Sequence, residues 1–135
     1  EGFIIDNAER ANAIINKLHD MRVGVALDDF GTGFSSIGHL RRFKFDKLKI
    51  DRAFVSSILN DRPSEHIVKA ILAMCEGLGI STIAEGIEEE GQADKLIQFG
   101  CSGGQGYLYG KPVDADATLG YLNDAYRGAS RASNG

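Results

Sequence analysis

Val25-Ala26-Leu27-Asp28-Asp29-Phe30-Gly31-Thr32-Gly33 is the stretch on which the reading of this chain turns. An apolar run stops at two adjacent carboxylates and passes straight into a glycine-rich turn. Adjacent ionised acids repel, and a strand end offers them little water, so either one stays protonated or a cation compensates both. Gly31 and Gly33 let the backbone fold sharply away and leave the acids facing a pocket. On these residues alone two readings stand side by side: a divalent-metal site, or an Asx-type turn begun by Asp28 with Asp29 solvated.

Upstream of this stretch, Ala8, Ala11, Ile14, Ile15, Leu18 and Met21 recur at helical spacing, with Asp6 or Asn7 placed to cap the helix after a short apolar segment at Glu1 to Ile5. Val23 to Leu27 is too short for a helix and nearly all apolar, which predicts a strand buried on both faces. Downstream, Ser35 to Phe43 predicts a short helix carrying His39, Leu40 and the Arg41-Arg42 pair, and Asp46 to Asp51 a second strand holding Lys49. Arg52 to Asn60 reads as another short helix and Asp61 to Pro63 as a break. Ser64 to Leu78 is the longest helical pattern, capped by Ser64 and stopped by Gly79.

Ile80 to Ala84 predicts a third strand, ending at Glu85-Gly86. A helix from the acidic run Glu88 to Glu90 through Phe99 follows, with negative charge in its first turn suiting the dipole. Cys101 to Tyr109 predicts a fourth, short strand around Gly103-Gly104-Gln105-Gly106. Asp116 to Tyr126 reads as a last helix and 127–135 as a flexible tail.

Strands alternating with helices at this spacing make an α/β chain of parallel βα units. In that architecture ligands bind at the carboxyl ends of the strands. Here the four strand ends carry Asp28 and Asp29, then Lys49, then Glu85, then Gln105. One polar strand end is easily a turn; four together, with acid, base and amide groups, favour the metal reading. Carboxylates and a lysine without histidine suit Mg²⁺ or Mn²⁺ rather than zinc, and phosphoryl chemistry follows from such a set. Lys49 would orient a nucleophilic water or neutralise developing charge, and Glu85 would be a further ligand or the proton acceptor. His19, His39 and His66 fall on predicted helices away from the strand ends and read as surface or packing residues.

Composition agrees with an ordinary globular domain: 135 residues, 43% hydrophobic and 25% charged. A net charge of −4 without charge runs disfavours duplex nucleic acid. Cys75 and Cys101 fit no metal spacing and no disulfide scaffold, which makes a cytoplasmic setting the expectation, with Cys75 in the core. No apolar run approaches the ~20 residues of a membrane span.

Taken in order, Asp28-Asp29-Phe-Gly-Thr-Gly-Phe-Ser-Ser, Leu48-Lys49-Ile50-Asp51, Ile83-Ala84-Glu85-Gly86-Ile87-Glu88 and Gly104-Gln105-Gly106-Tyr107 resemble the EAL-domain family of cyclic di-GMP phosphodiesterases. The resemblance implies a modified (β/α)₈ TIM-type barrel of which this chain holds only the C-terminal half, over residues 1–126. It also implies Mg²⁺- or Mn²⁺-dependent hydrolysis of cyclic di-GMP to linear pGpG at a two-metal site, with calcium inhibitory. Carried over by residue, Asp28 bridges two metals, Asp29 and Glu85 are further ligands, and Lys49 holds the attacking water. Glu85 is also a candidate base, and Glu88 and Gln105 support the substrate and second metal. Glu1 matches the second glutamate of a Glu-x-x-Glu strand end, which steadies the Phe30 to Ser36 loop toward the dimer interface.

The resemblance further implies a homodimer, with sensory or GGDEF domains upstream, in a bacterial second-messenger system. The Glu-Ala-Leu signature and the other first-half ligands lie outside this sequence, so the 135 residues alone are expected to be inactive, with open sheet edges that invite a partner segment or self-association. The alternatives are a module that binds cyclic di-GMP without cleaving it, or a fragment that dimerises through Phe30 to Arg42.

Overall fold

Residues 2–30 and 37–120 are described by the computed structural model, 2–7 and 39 through their backbone. They form α1 (Gly2–Asp20), β1 (Ala26–Phe30), α2 (Ile37–Arg42), β2 (Lys47–Ile50), α3 (Arg52–Ser57), α4 (Arg62–Leu78), β3 (Ser81–Glu85), α5 (Glu90–Gln98) and β4 (Gly103–Gln105). A further helical stretch occupies 115–120. The strands make one sheet in the order β1-β2-β3-β4, with every pairing parallel.

Alternation along β2 and β3 separates the two faces of the sheet. Leu48, Ile50, Thr82 and Ala84 are buried, whereas Lys47, Lys49, Ser81, Ile83 and Glu85 between them are not. The buried set packs with Val55, Ile58, Val68, Ile71, Leu72 and Cys75 from α3 and α4 and with Leu96 from α5. Burying each large aliphatic side chain in this layer is worth roughly 1.5–3 kcal/mol. Lys95 bonds Glu65 at 2.8 Å and the Ile58 carbonyl at 3.2 Å, tying α5 to α4 and to the end of α3. Burial raises the Cys75 thiol to about 11, so it behaves as a small apolar core residue.

Several expectations change at this level. The first strand lies at 26–30, not at Val23 to Leu27, and it includes the acid pair. It is not buried on both faces either: Val23 is exposed, and in β1 only Phe30 is buried. Among the described residues β1 pairs with β2 alone and forms an edge of the sheet, and its Leu27 is only partly buried against the core. The helix of the Ser64 to Leu78 pattern begins at Arg62, and its cap is Asp61, whose carboxylate accepts from Ser64 N at 2.9 Å. Pro63 therefore sits in the first turn, where its missing N–H leaves no bond unmade, and does not break the chain.

α1 already includes Gly2 to Ile5, so Asp6 and Asn7 lie inside it and do not cap it. The fourth strand shrinks to Gly103–Gln105, because Tyr107 to Tyr109 turn away from the sheet. Glu88 lies outside α5, which starts at Glu90; the buried Gln92 side chain satisfies the backbone N–H groups of Glu88 and Glu89 at 2.8 and 3.2 Å. Glu1, the 31–36 part of the loop and 121–135 lie outside the described residues.

Candidate functional site

The carboxyl ends of β1, β2, β3 and β4 bring Asp28, Asp29, Lys49, Glu85 and Gln105 together. Period-two alternation puts Lys49 and Glu85 on the sheet face away from the helices, since Leu48, Ile50 and Ala84 point into the core. The same rule would send adjacent Asp28 and Asp29 to opposite faces. The β1–β2 register resolves this conflict: Leu27 pairs with Leu48 and Phe30 with Ile50, so two acids stand opposite the single residue Lys49. The extra residue is a β-bulge, and Asp29 takes a left-handed φ of 51° there. With the bulge, one carboxylate oxygen from each of Asp28, Asp29 and Glu85 lies within 4.8 Å of the others. Holding an aspartate in this backbone region costs about 1–3 kcal/mol, and such strain concentrates at functional sites.

Lys49 lies between two of these acids. Its Nζ is 2.9 Å from Asp28 Oδ2 and 2.5 Å from Glu85 Oε1. The Asp28 carboxyl is held below the ordinary carboxylate range, first by the Lys49 hydrogen bond and then by the Asp29 backbone N–H, which donates to Oδ1 at 2.9 Å. The Lys49 ammonium is pushed well above its ordinary value, by Glu85 first and Asp28 second. In this arrangement Lys49 is a cation that donates to both acids. Gln105, in register with Glu85, donates through Nε2 to the same Oε1 at 2.8 Å. Both donors use one oxygen of Glu85, and its Oε2 bonds no side chain or backbone group among the described residues.

Glu88 is displaced from this cluster. Its Oε1 accepts from Arg52 Nη2 at 2.7 Å. The pair lies on a groove of about 400 Å³ that adjoins Gln105 and is also lined by Gly106, Tyr107 and Lys111. The Lys111 ammonium lies 5.5 Å from the Tyr107 ring centroid. Arg52 and Lys111 are not singled out by the sequence pattern, and Tyr107 enters there only as the end of the Gly104-Gln105-Gly106-Tyr107 motif. Arg52 could have been, because it directly follows the second strand at the end where α/β ligand sites form. His19 and His66 lie elsewhere: His19 Nε2 meets Asp46 Oδ2 at 2.8 Å, and His66 Nδ1 meets the Arg62 carbonyl oxygen at 2.7 Å.

Three carboxylates converging on one point, with a lysine and an amide fixing one of them, form an oxygen-rich donor set that suits a hard divalent cation. Comparison with known proteins adds to this. The family model described as EAL domain matches residues 1–112. The bifunctional diguanylate cyclase/cyclic di-GMP phosphodiesterase MucR of Pseudomonas aeruginosa is 39% identical over 119 residues, covering 88% of this chain and 17% of MucR.

Among solved structures, the MucR phosphodiesterase in complex with cyclic di-GMP aligns at 40% identity and a TM-score of 0.76, over 82% of this chain and 45% of that one. A Klebsiella pneumoniae BlrP1 structure, a manganese and cyclic di-GMP complex, aligns at 34% identity and a TM-score of 0.66, over 71% of this chain and 24% of that one. The chain thus spans less than half the length of each. No helix among the described residues is long and apolar enough to cross a membrane.

Proposed function

Because this chain belongs to the EAL domain family, we propose that the polypeptide carrying it hydrolyses one phosphodiester bond of cyclic di-GMP to give linear pGpG. The observation that carries the reading is the convergence of Asp28, Asp29 and Glu85 within 4.8 Å, achieved by a strained bulge. In this proposal the three acids hold Mg²⁺ or Mn²⁺ as part of a two-metal site completed by residues outside this sequence. A bound divalent ion lowers the pKa of water and draws charge from phosphoryl oxygens. Lys49, fixed as a cation, donates to the attacking oxygen and steadies charge in the transition state. Gln105 and Lys49 occupy Oε1 of Glu85 and leave Oε2 to face a metal or accept a proton. Glu88 and Gln105 border the groove that receives the rest of the substrate.

The same proposal takes the domain to residue 126 and the remainder as a tail. It places the polypeptide in the cytoplasm as a homodimer, with further signalling domains such as sensory or GGDEF units. Support for those additional domains comes from MucR, a bifunctional cyclase and phosphodiesterase of which this chain spans 17%. Glu1, as the counterpart of a loop-steadying glutamate, belongs to the proposal as well.

The test is turnover of cyclic di-GMP to pGpG by the polypeptide that carries this sequence together with its upstream segment, in Mg²⁺ or Mn²⁺, with activity lost in chelator and restored by metal. Tight binding with zero turnover would overturn the hydrolase reading in favour of a cyclic di-GMP sensor.

A further inference from the structure

We infer that Arg52 is the phosphate-recognition group of the groove beside the acids, held in place by Glu88, and that it selects substrates carrying a second phosphate. The inference rests on the phosphodiesterase reading above. Three observations lead to it. First, the aliphatic stem of Arg52 crosses directly over Gly86, whose φ is +71°; a β-carbon at 86 would fall on Arg52 Cγ and lie 2.8 Å from Cδ and 2.9 Å from Cβ. The absence of a side chain at 86 is what lets the arginine lie there, and Gly86 immediately follows Glu85.

Second, the guanidinium reaches Glu88 at 2.7 Å, yet the two side chains are 63% and 44% exposed. An ion pair this open to water adds little to stability and leaves the guanidinium accessible to a ligand. Third, the charged residues lining the groove are Arg52, Lys111 and Glu88, two cations and one acid, in a chain whose net charge is −4.

A guanidinium carries five N–H donors in a planar fork matched to phosphate oxygens. Only Nη2 is committed to Glu88 among the described residues. The remaining donors are available for an anion, and the Glu88 contact anchors one end of the fork before the ligand arrives. A cyclic dinucleotide has two phosphates. In this inference one phosphate sits at the Asp28, Asp29 and Glu85 cluster and the second in the adjoining groove, which the half-exposed Tyr107 ring also lines.

The experiment is steady-state kinetics on cyclic di-GMP with Mn²⁺, using the polypeptide that carries this sequence and its upstream segment. Arg52→Ala is expected to raise KM about 10- to 100-fold, the range of one hydrogen bond to a charged group, with kcat changed less than about threefold. Arg52→Lys, which keeps the charge without the fork, should recover part of the loss. Glu88→Gln should raise KM less than Arg52→Ala and add nothing in the Arg52→Ala background.

A fall in kcat at constant KM, full recovery by Arg52→Lys, or additive effects of the two substitutions would overturn the inference. Arg52→Lys also guards against misfolding: if Arg52→Ala and Arg52→Lys both lower the thermal midpoint, the residue is structural and the inference fails. Absence of turnover by the unsubstituted protein would instead defeat the underlying reading.

Discussion

Substituting alanine at Gly106 and, separately, at Gly77 should move stability in opposite directions, because a β-carbon at Gly106 would strike backbone whereas at Gly77 it would meet open space on a helix. At Gly106 it would fall on the backbone N, C and O of Ile87, atoms that cannot rotate aside. Ile87 is 2% exposed, its N–H donates to the Gln105 carbonyl at 3.1 Å, and its own carbonyl accepts from Leu108 N at 3.0 Å. Making room separates the 86–87 turn from the 105–108 segment. The two hydrogen bonds contribute about 1 kcal/mol each, and loosening the Ile87 side chain forfeits part of its roughly 1.5–3 kcal/mol. Together these give a destabilisation of about 2–4 kcal/mol, from the upper part of the usual range for inserting extra carbon into a packed site to somewhat above it.

At Gly77, inside α4, nothing lies within 4 Å of the added carbon, so the substitution should stabilise by roughly 0.5–1 kcal/mol through helix propensity. Urea unfolding followed by circular dichroism measures both. A Gly106→Ala protein within about 0.5 kcal/mol of the parent, where surface substitutions fall, would refute the close approach of the two loops. It would also undercut the Glu85–Gln105 pairing that depends on that approach.

Lys49→Ala should lower kcat by about 10²- to 10³-fold, as loss of a donor to a developing negative charge does, while leaving cyclic di-GMP affinity nearly intact; equal losses in binding and turnover would refute the role. Asp28→Asn should weaken Mn²⁺ binding itself, readable by calorimetry without any turnover. Acid should destabilise the fold through Asp28, Asp46, Asp61 and Glu65, all held below their ordinary values by hydrogen bonds, from Lys49, the Val25 backbone, Ser64 and Lys95 respectively. A carboxylate depressed in the folded state contributes stability that is fully present above its unfolded value, 3.8 for Asp and 4.5 for Glu, and is lost as pH falls below it. The urea midpoint should therefore hold from neutral pH down to that range and decline beneath it; a midpoint that rises on acidification would contradict these bonds.

Much of this molecule was legible in the order of residues along the chain. Apolar spacing gave the helices and strands their sequence positions, and the alternation of the two predicted parallel βα units. That topology alone sends Asp28, Asp29, Lys49, Glu85 and Gln105 to one end of one sheet, because each closes or nearly closes its strand. Gly79, with φ 68°, stops α4 as its residue type requires. Boundaries near Pro63 and Glu88 were misplaced because propensity does not say which neighbour will satisfy a backbone N–H; Asp61 and Gln92 do so here, and both choices need the folded chain.

Tertiary structure alone decided three things. Pairing with β2 produced the bulge that turns two consecutive acids toward Glu85, an outcome that period-two alternation by itself forbids. The β3–β4 register set Gln105 beside Glu85. Contact between the first residue of α3 and the turn after β3 brought Arg52 over Gly86 to Glu88, across 36 positions of sequence. The physical reason is common to all three. A strand pattern specifies which way a side chain faces along its own backbone, whereas the distance between side chains on different strands depends on register, twist and strain, which exist only once the strands have paired.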